Sequence, residues 1–203
     1  MNYAPEGNNS MKKSAAFIVA TLGAVSMSSA ASASDLYIGL DVFGSHNRFD
    51  YDYAGLTQKT DIDSSGLKLK LGALLVYDLR LQGYVLTEKF DEPPFDYTND
   101  RLTEIGLDLI KEFVVSPQFS PFIQGGIGYG TMDLDRRYYD DDYIEEVNLK
   151  VGIGLMFRVT PSVELLTGID FQWRGWSDVY YNNVKMETED GSQRFYVGID
   201  FLF

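Results

Sequence analysis

Cysteine is absent from the 203-residue sequence, and histidine occurs once. The lack of cysteine excludes disulfides, thiolate metal sites and a lipid anchor on an N-terminal cysteine. Acidic residues outnumber basic ones by 30 to 17, and the net charge of −13 argues against nucleic acid as a partner. Residues 34–203 also lack an apolar run of about 18 residues, so no transmembrane helix is expected there.

The N-terminal segment has the three parts of a secretory signal peptide. A Lys-Lys pair at 12–13 precedes the apolar run Ala15–Val25, and Ala31-Ser32-Ala33 forms a small-x-small cleavage site. The run is shorter than the roughly 20 residues that span a bilayer, and a buried N-terminal helix is the alternative. We expect residues 1–33, starting at Met1 or at Met11, to be a cleaved signal peptide and residues 34–203 to be one domain.

The remainder of the sequence alternates with period two, which is typical of β-strands. Apolar or small residues occupy every second position in eight segments, and none of these positions is charged. The segments are Leu36–Val42, Leu67–Leu75, Leu79–Thr87, Thr103–Leu109, Ile123–Thr131, Val147–Phe157, Val163–Trp173 and Phe195–Phe203. We therefore predict eight strands, each with one uncharged face.

The opposite face of the same strands carries acidic and basic residues in equal numbers. Because buried charges must be paired, we expect a self-neutral network of ion pairs on this face. Its predicted members are Asp41, Lys68, Lys70, Arg80, Glu104, Asp108, Lys150, Arg158, Glu164, Asp170, Arg194 and Asp200, and Glu88 and Arg174 share the face.

Two architectures have this alternation: a soluble barrel with its apolar face inward, and a transmembrane barrel with its apolar face toward lipid. The connections favour the second, because long and short ones alternate. Aromatic residues near both ends of the apolar faces also suit two membrane interfaces. We predict an all-β fold, an eight-stranded antiparallel transmembrane β-barrel, with long connections at Ser45–Ser65, Lys89–Asp100, Met132–Glu146 and Gly175–Ser192.

Three stretches carry a resemblance to a known family. PFIQGGIGYG at 121–130 resembles a strand segment of small OmpA-like or OmpX-like outer-membrane barrels, and GLDVFG and YVGIDFLF at the two ends of the barrel fit the same pattern. The resemblance implies an outer membrane protein beta-barrel domain in the outer membrane of a Gram-negative cell. It also implies contact with the lipid and lipopolysaccharide of that membrane.

The last ten residues, RFYVGIDFLF, place apolar side chains at alternate positions up to a final phenylalanine. This pattern resembles the signal that the outer-membrane barrel assembly machinery reads, which implies that machinery as a partner during biogenesis. The residues of the predicted assembly signal are Phe195, Val197, Ile199, Phe201 and Phe203.

Glycines at 126, 128 and 130 in the fifth strand, and at 152 and 154 in the sixth, share the charged face. The interior of an eight-stranded barrel is just wide enough for side chains to fill. These glycines therefore indicate space for long Lys and Arg side chains, and a narrow water path through the interior is the alternative.

The predicted long connections are acidic and rich in tyrosine, as in MDLDRRYYDDDYIEE at 132–146. Their spacing matches no calcium-binding loop, so no metal site is predicted, although loose bridging of divalent cations to lipopolysaccharide phosphates suits such carboxylates. Tyrosine is favoured in recognition surfaces. We expect these connections to be an extracellular contact surface for a host or cell-surface ligand.

His46 is the one candidate for a catalytic base of the histidine type. Ser45 beside it points to the opposite face of a strand, so a nucleophile would have to come from elsewhere, such as Ser64, Ser65 or Ser177. We expect no catalytic residues, no cofactor and no enzymatic activity. The predicted role is structural or surface-interacting, with a narrow channel for small solutes and an envelope-lipid-modifying enzyme as alternatives.

Overall fold

The computed structural model describes residues 36–53, 56–95, 98–134, 142–181 and 184–203, and most of them lie in β-strands. The alternating sequence, rich in β-branched and aromatic residues, favours this extended backbone. The strands are β1 (Leu36–Tyr53), β2 (Leu56–Leu75), β3 (Leu79–Phe90), β4 (Thr98–Glu112), β5 (Phe119–Leu134), β6 (Tyr143–Thr160), β7 (Val163–Trp176), β8 (Val179–Tyr181) and β9 (Val184–Leu202).

The strands form one closed antiparallel sheet. Each of β1 to β6 pairs with its successor, β7 pairs with β9, and β9 returns to pair with β1. The three-residue β8 pairs with the start of β9, beyond the end of β7. Eight long strands, β1 to β7 and β9, thus make a ring, which confirms the predicted eight-stranded antiparallel barrel.

The connections divide the barrel into two ends, which we name the turn end and the loop end. The turn end carries the connections after β2, β4 and β6, and the Phe203 N–H donates to the Leu36 carbonyl there at 3.0 Å. Tyr77 and Asp78 have φ angles of 62° and 56° in the connection between β2 and β3. Such left-handed values match the twist of the flanking strands in a tight hairpin.

The outer surface nearest the turn end is a continuous apolar band. Its side chains come from every long strand and are exposed; they include Ile38, Leu40, Val42, Leu67, Leu69, Leu71, Val85, Leu109, Ile123, Val151, Ile153, Leu165 and Val197. Phe157, Phe201 and Phe203 border the band at the turn end, and Phe171 and Trp173 border it on the other side. An exposed apolar surface of this extent requires a lipid environment.

No helix among the described residues is long and apolar enough to cross a membrane.

Beyond the apolar band, several strands continue toward the loop end. The predicted connections Ser45–Ser65 and Gly175–Ser192 are wrong for most of their length, because β1, β2 and β9 run through them as paired strands. The other two long connections are also shorter than predicted, since β3 reaches Phe90 and β4 begins at Thr98, and β5 reaches Leu134 and β6 begins at Tyr143. The predicted signal peptide, residues 1–33, and loop residues 135–141 lie outside the described residues.

Candidate functional site in the barrel interior

The barrel interior contains most of the charged side chains that the sequence placed on one strand face. Because side chains alternate across a strand, the residues between those of the apolar band point inward. Eleven of the twelve predicted network members are buried: Asp41, Lys68, Lys70, Arg80, Glu104, Asp108, Lys150, Glu164, Asp170, Arg194 and Asp200. Arg158 lies at the rim of the turn end with 41% of its side chain exposed, where it bonds Glu164.

Arg80 is the centre of the ion-pair cluster at the turn end. Its guanidinium contacts Glu112, lies 2.8 Å from a Glu164 oxygen, and approaches Asp200 at 3.9 Å. The Arg80 guanidinium also lies over the Tyr37 ring, 5.3 Å from its centroid. A fully buried guanidinium is thus surrounded by carboxylates and an aromatic face, which compensates for its lost hydration.

Asp108 is the centre of a second cluster, halfway along the interior. Its two carboxylate oxygens lie 2.8 Å from the ammonium nitrogens of Lys68 and Lys150, respectively, and Gln82 donates to one of them at 2.9 Å. Both ammonium groups also lie over the Tyr84 ring, at 4.5 and 3.8 Å from its centroid. One acid is therefore paired with two buried cations, and both cations also contact the face of one tyrosine ring.

Glu88 is the acid at the centre of the third cluster, nearer the loop end. Arg194 and Arg174 lie 2.8 and 3.1 Å from the same Glu88 oxygen, and Ser64 donates to the other at 2.6 Å. The Arg194 guanidinium also lies 4.2 Å from the centroid of the Phe43 ring. Arg174 and Glu88 thus belong to the interior network, as their strand parity indicates.

The inward glycines are spaces into which these side chains fit. A Cβ at Gly126 would overlap the Asp108 carboxylate and lie 2.8 Å from the Lys150 stem. A Cβ at Gly128 would lie 2.7 Å from a Glu104 oxygen and 2.6 Å from the Tyr84 hydroxyl. The volume that glycine leaves open is therefore occupied by the polar network.

The expectation of a self-neutral interior is wrong. Among the described residues, ten buried acids accompany six buried bases. The surplus of four arises because Glu112, Glu146 and Asp190 add three buried acids and because Arg158 lies exposed at the rim. Glu146 and Asp190 belong to predicted connections that the structure shows as strand, and Glu112 lies at the end of β4. Glu104 and Glu146 flank Gly130 in the sheet register, and their bonds are to neutral groups: Tyr84 donates to Glu104 at 2.5 Å and Asn148 to Glu146 at 3.1 Å.

An apolar cluster fills the interior at the loop end, and the sequence analysis missed it. Its buried members are Phe49, Ile62, Phe90, Phe95, Leu102, Met132, Leu134, Ile144 and Trp176. The Phe95 and Trp176 rings meet edge to face at 5.3 Å, and Phe49 and Phe90 do so at 5.9 Å. We name this set the loop-end cluster. The sequence signal that could have revealed it is the continuation of the inward positions of β1 past Gly44, through Ser45 and Asn47 to Phe49.

The outer surface of the loop end is charged where the interior is apolar. Three cross-strand pairs join β1 and β2: His46–Asp63 at 2.7 Å, Arg48–Asp61 at 2.9 Å and Asp50–Lys59 at 2.8 Å. The hydrogen bond from Arg48 lowers the pKa of the Asp61 carboxyl, so both groups carry charge at neutral pH.

His46 and Ser45 do not form a serine–histidine pair. His46 points outward to Asp63, whereas Ser45 points inward and shares a hydrogen bond with Ser192 at 2.6 Å. Across the described residues, no group of three or more acidic, histidine or cysteine side chains is arranged to hold a metal ion.

The tyrosines expected on the contact surface are only partly described. Tyr51 belongs to the packing of the loop-end cluster, because its ring stacks on Phe49 and its hydroxyl donates to the Pro94 carbonyl at 2.5 Å. Tyr143 is exposed. Tyr97, Tyr138 and Tyr139, and the side chains of Tyr53, Tyr180 and Tyr181, lie outside the described residues.

The residues of the predicted assembly signal lie on the last strand, β9. Phe195, Val197, Phe201 and Phe203 point outward and are exposed, and Ile199 on the same face is half-buried. β9 pairs on both sides, with β1 and with β7, so this segment closes the ring. Its reading by assembly machinery stays a prediction.

Comparison with known proteins agrees with this geometry. Residues 17–201 match the family model described as outer membrane protein beta-barrel domain. Two similar solved structures are Neisserial surface protein A (TM-score 0.56, 21% identity, 85% of this chain and 98% of that one covered) and OprG from Pseudomonas aeruginosa (TM-score 0.55, 11% identity, 84% and 96% covered). None of the curated protein sequences compared with the chain matches it. At these identities the structural likeness shows the fold alone.

Proposed function

The chain belongs to the outer membrane protein beta-barrel domain family. We propose that it is a non-enzymatic barrel with a closed interior and a structural or surface-interacting role. The apolar band lies in the lipid, the turn end faces the periplasm, and the loop end extends into the medium. The strand portions beyond the band rise roughly 25 Å above it if the strands tilt near 40°.

The filled interior is the observation that carries this proposal. Three ion-pair clusters, centred on Arg80, Asp108 and Glu88, follow one another along the barrel axis. The loop-end cluster then covers the outer mouth with packed aromatic rings. An ion crossing the barrel would have to displace paired buried charges and then pass through an apolar layer, and both steps are costly.

The surface role is supported by the exposed loop end. Its outer wall presents alternating cationic and anionic side chains, as in Arg48–Asp61 and Asp50–Lys59, on paired strands. Paired strands hold such groups in fixed positions, which favours specific contact over non-specific adhesion. His46 bonds Asp63, and Ser45 faces the interior and bonds Ser192, which argues against hydrolysis by a His46–Ser45 pair.

Planar-bilayer conductance of the refolded protein, residues 34–203, tests the proposal. Folding is verified first by the heat-modifiable mobility of the barrel on a gel, and an open barrel of known conductance serves as the positive control. We expect no single-channel steps from the folded protein. Steady, reproducible steps would contradict the closed interior and establish the channel alternative.

A further inference from the structure

We propose that a groove on the outer wall of the barrel, at the border of the apolar band, binds the phosphorylated sugar headgroup of an outer-leaflet glycolipid. The proposal rests on the outer-membrane location and orientation proposed above. It assigns a ligand and a site to a surface that is distinct from the interior network.

The groove is formed by the outward faces of three neighbouring strands, β1, β9 and β7. The sheet register places Gly191 directly between Arg48 and Trp173, and places Glu189 between Asp50 and Gly175. A Cβ added at Gly175 or Gly191 would meet no atom within 4 Å. The two glycines therefore leave an open groove of about 600 Å³ with a floor of bare backbone.

The width of the groove suits one or two sugar rings. Adjacent strands in a sheet lie about 4.8 Å apart, so Arg48 and Trp173, two strands apart, form walls roughly 10 Å from each other. The Trp173 side chain is 55% exposed and bounds the groove with an apolar face against which a sugar ring can pack.

The position of the groove selects an amphipathic ligand. Below it on β9, Phe195 and Val197 belong to the apolar band and are exposed to lipid. At its upper edge and beyond it, the outward residues Glu189 and Glu187 are acidic and exposed to water. A ligand in the groove therefore has its headgroup at the lipid–water boundary and its acyl chains beside Phe195, as a lipid of the outer leaflet does.

The side chains of the groove match both parts of a phosphorylated sugar. Arg48 uses its Nε to bond Asp61, and a guanidinium has four further N–H donors that can bind phosphate oxygens. Glu189 and Asp50 offer carboxylate oxygens that accept from sugar hydroxyls. Phosphatidylglycerol lacks the hydroxyl-bearing ring that these acids and Trp173 would contact, so the sugar distinguishes the expected ligand.

Binding of lipid A to the folded, detergent-solubilised protein tests the proposal, with native mass spectrometry as the readout. Gly191→Leu and Gly175→Leu each add a side chain at a position where a Cβ meets no atom within 4 Å, and each should weaken lipid A binding at least tenfold. Gly83→Leu is the matched control, because Gly83 is an outward glycine on β3 whose Cβ would make only ordinary contacts at 3.7 and 3.9 Å. That variant should bind lipid A as the native protein does.

Phosphatidylglycerol is the second probe, because it carries a phosphate and acyl chains but no sugar. We expect it to bind at least tenfold more weakly than lipid A and to be insensitive to both groove-filling variants. Equal binding of the two lipids, or unchanged lipid A binding in Gly191→Leu and Gly175→Leu, would overturn the proposal. Lipid A binding does not depend on whether the barrel interior conducts ions. A failure of the closed-interior proposal in the conductance experiment is therefore distinguishable from a failure of this one.

Discussion

At the residue scale, two acids each stabilise a pair of buried cations. Asp108 bonds Lys68 and Lys150, and Glu88 bonds Arg174 and Arg194. Removal of such an acid takes the nearest counter-charge away from two buried cations, which costs more than the loss of the contacts themselves. The stability of the barrel is therefore sensitive to the loss of a single buried acid and insensitive to the loss of an exposed ion pair.

Replacing the Asp108 carboxylate measures this sensitivity. Asp108→Asn keeps the shape of the side chain and removes its charge, and we expect it to lower the free energy of unfolding by about 3–5 kcal/mol. Asp61→Asn is the control, because the pair with Arg48 is exposed and screened by solvent, so that its loss should leave the free energy of unfolding nearly unchanged. Urea titrations in lipid vesicles provide both values, and equal effects would contradict the buried role of Asp108.

Two adjacent glycines provide a second residue-scale prediction. A Cβ at Gly126 would overlap the Asp108 carboxylate and press on the Leu107 carbonyl at 2.8 Å, whereas at Gly125 it would meet only the Lys150 carbonyl at 3.9 Å. Gly126→Ala should lower the free energy of unfolding by about 1–3 kcal/mol. Gly125→Ala should be neutral or raise it by up to about 1 kcal/mol. The same urea titration measures both free energies of unfolding. Similar values for the two variants would show that the interior side chains shift to accommodate the added methyl group at position 126.

At the element scale, β1 and β2 exchange their inner and outer chemistry partway along their length. Near the turn end, Leu40 and Leu69 face outward and Asp41 faces inward. Near the loop end, Arg48 and Asp61 face outward and Phe49 faces inward. The backbone alternation is continuous, so the exchange reflects a change of the surrounding medium from lipid to water.

This exchange explains which parts of the fold could be predicted from the sequence. Uncharged residues at every second position identify strands wherever the outer face meets lipid, as in Leu67–Leu75. Beyond Gly44 the outward residues become charged, and the apolar residues occupy the inward positions instead. The criterion of one uncharged face therefore fails there, and these parts of the strands were predicted to be connections. Parity also identified Asp108 and Lys150 as interior residues, but the inward positions of Glu146 and Asp190 depend on the longer strands.

The loop-end cluster should stabilise the part of the β1–β2 hairpin that lies beyond the apolar band, without affecting the lipid-embedded parts of the strands. Phe49→Ala removes a fully buried ring that contacts Phe90, Phe95 and Trp176, a class of change that costs about 3–5 kcal/mol. We expect faster amide hydrogen exchange in residues 44–53 and 56–63, with residues 36–42 unchanged. Phe195→Ala, on the outer surface, is the control and should leave the hairpin protected. Faster exchange along all of β1 would instead mean that the barrel opens as one unit.

At the scale of the whole molecule, the barrel has one apolar layer on its outside and another in its interior, at different heights. The outer layer surrounds the ion-pair clusters, and the inner layer lies under the charged wall of the loop end. In the lipid-embedded section the ion-pair clusters share the interior with buried apolar side chains such as Phe122, Met156 and Leu166, whereas the loop-end section is apolar inside and charged outside. The position of the molecule in the membrane follows from the height at which the two sides exchange.

Two exposed leucines of β2 test that position, because only the surrounding medium distinguishes them. Leu69 lies within the apolar band with 53% exposure, and Leu56 lies at the loop end with 74% exposure. Leu69→Arg places a charge in lipid and should make folding into vesicles less favourable by about 2–4 kcal/mol. Leu56→Arg places it in water and should change that free energy by less than about 0.5 kcal/mol. Equal costs would mean that the bilayer also covers the loop end, and equal tolerance would mean that the band does not lie in lipid.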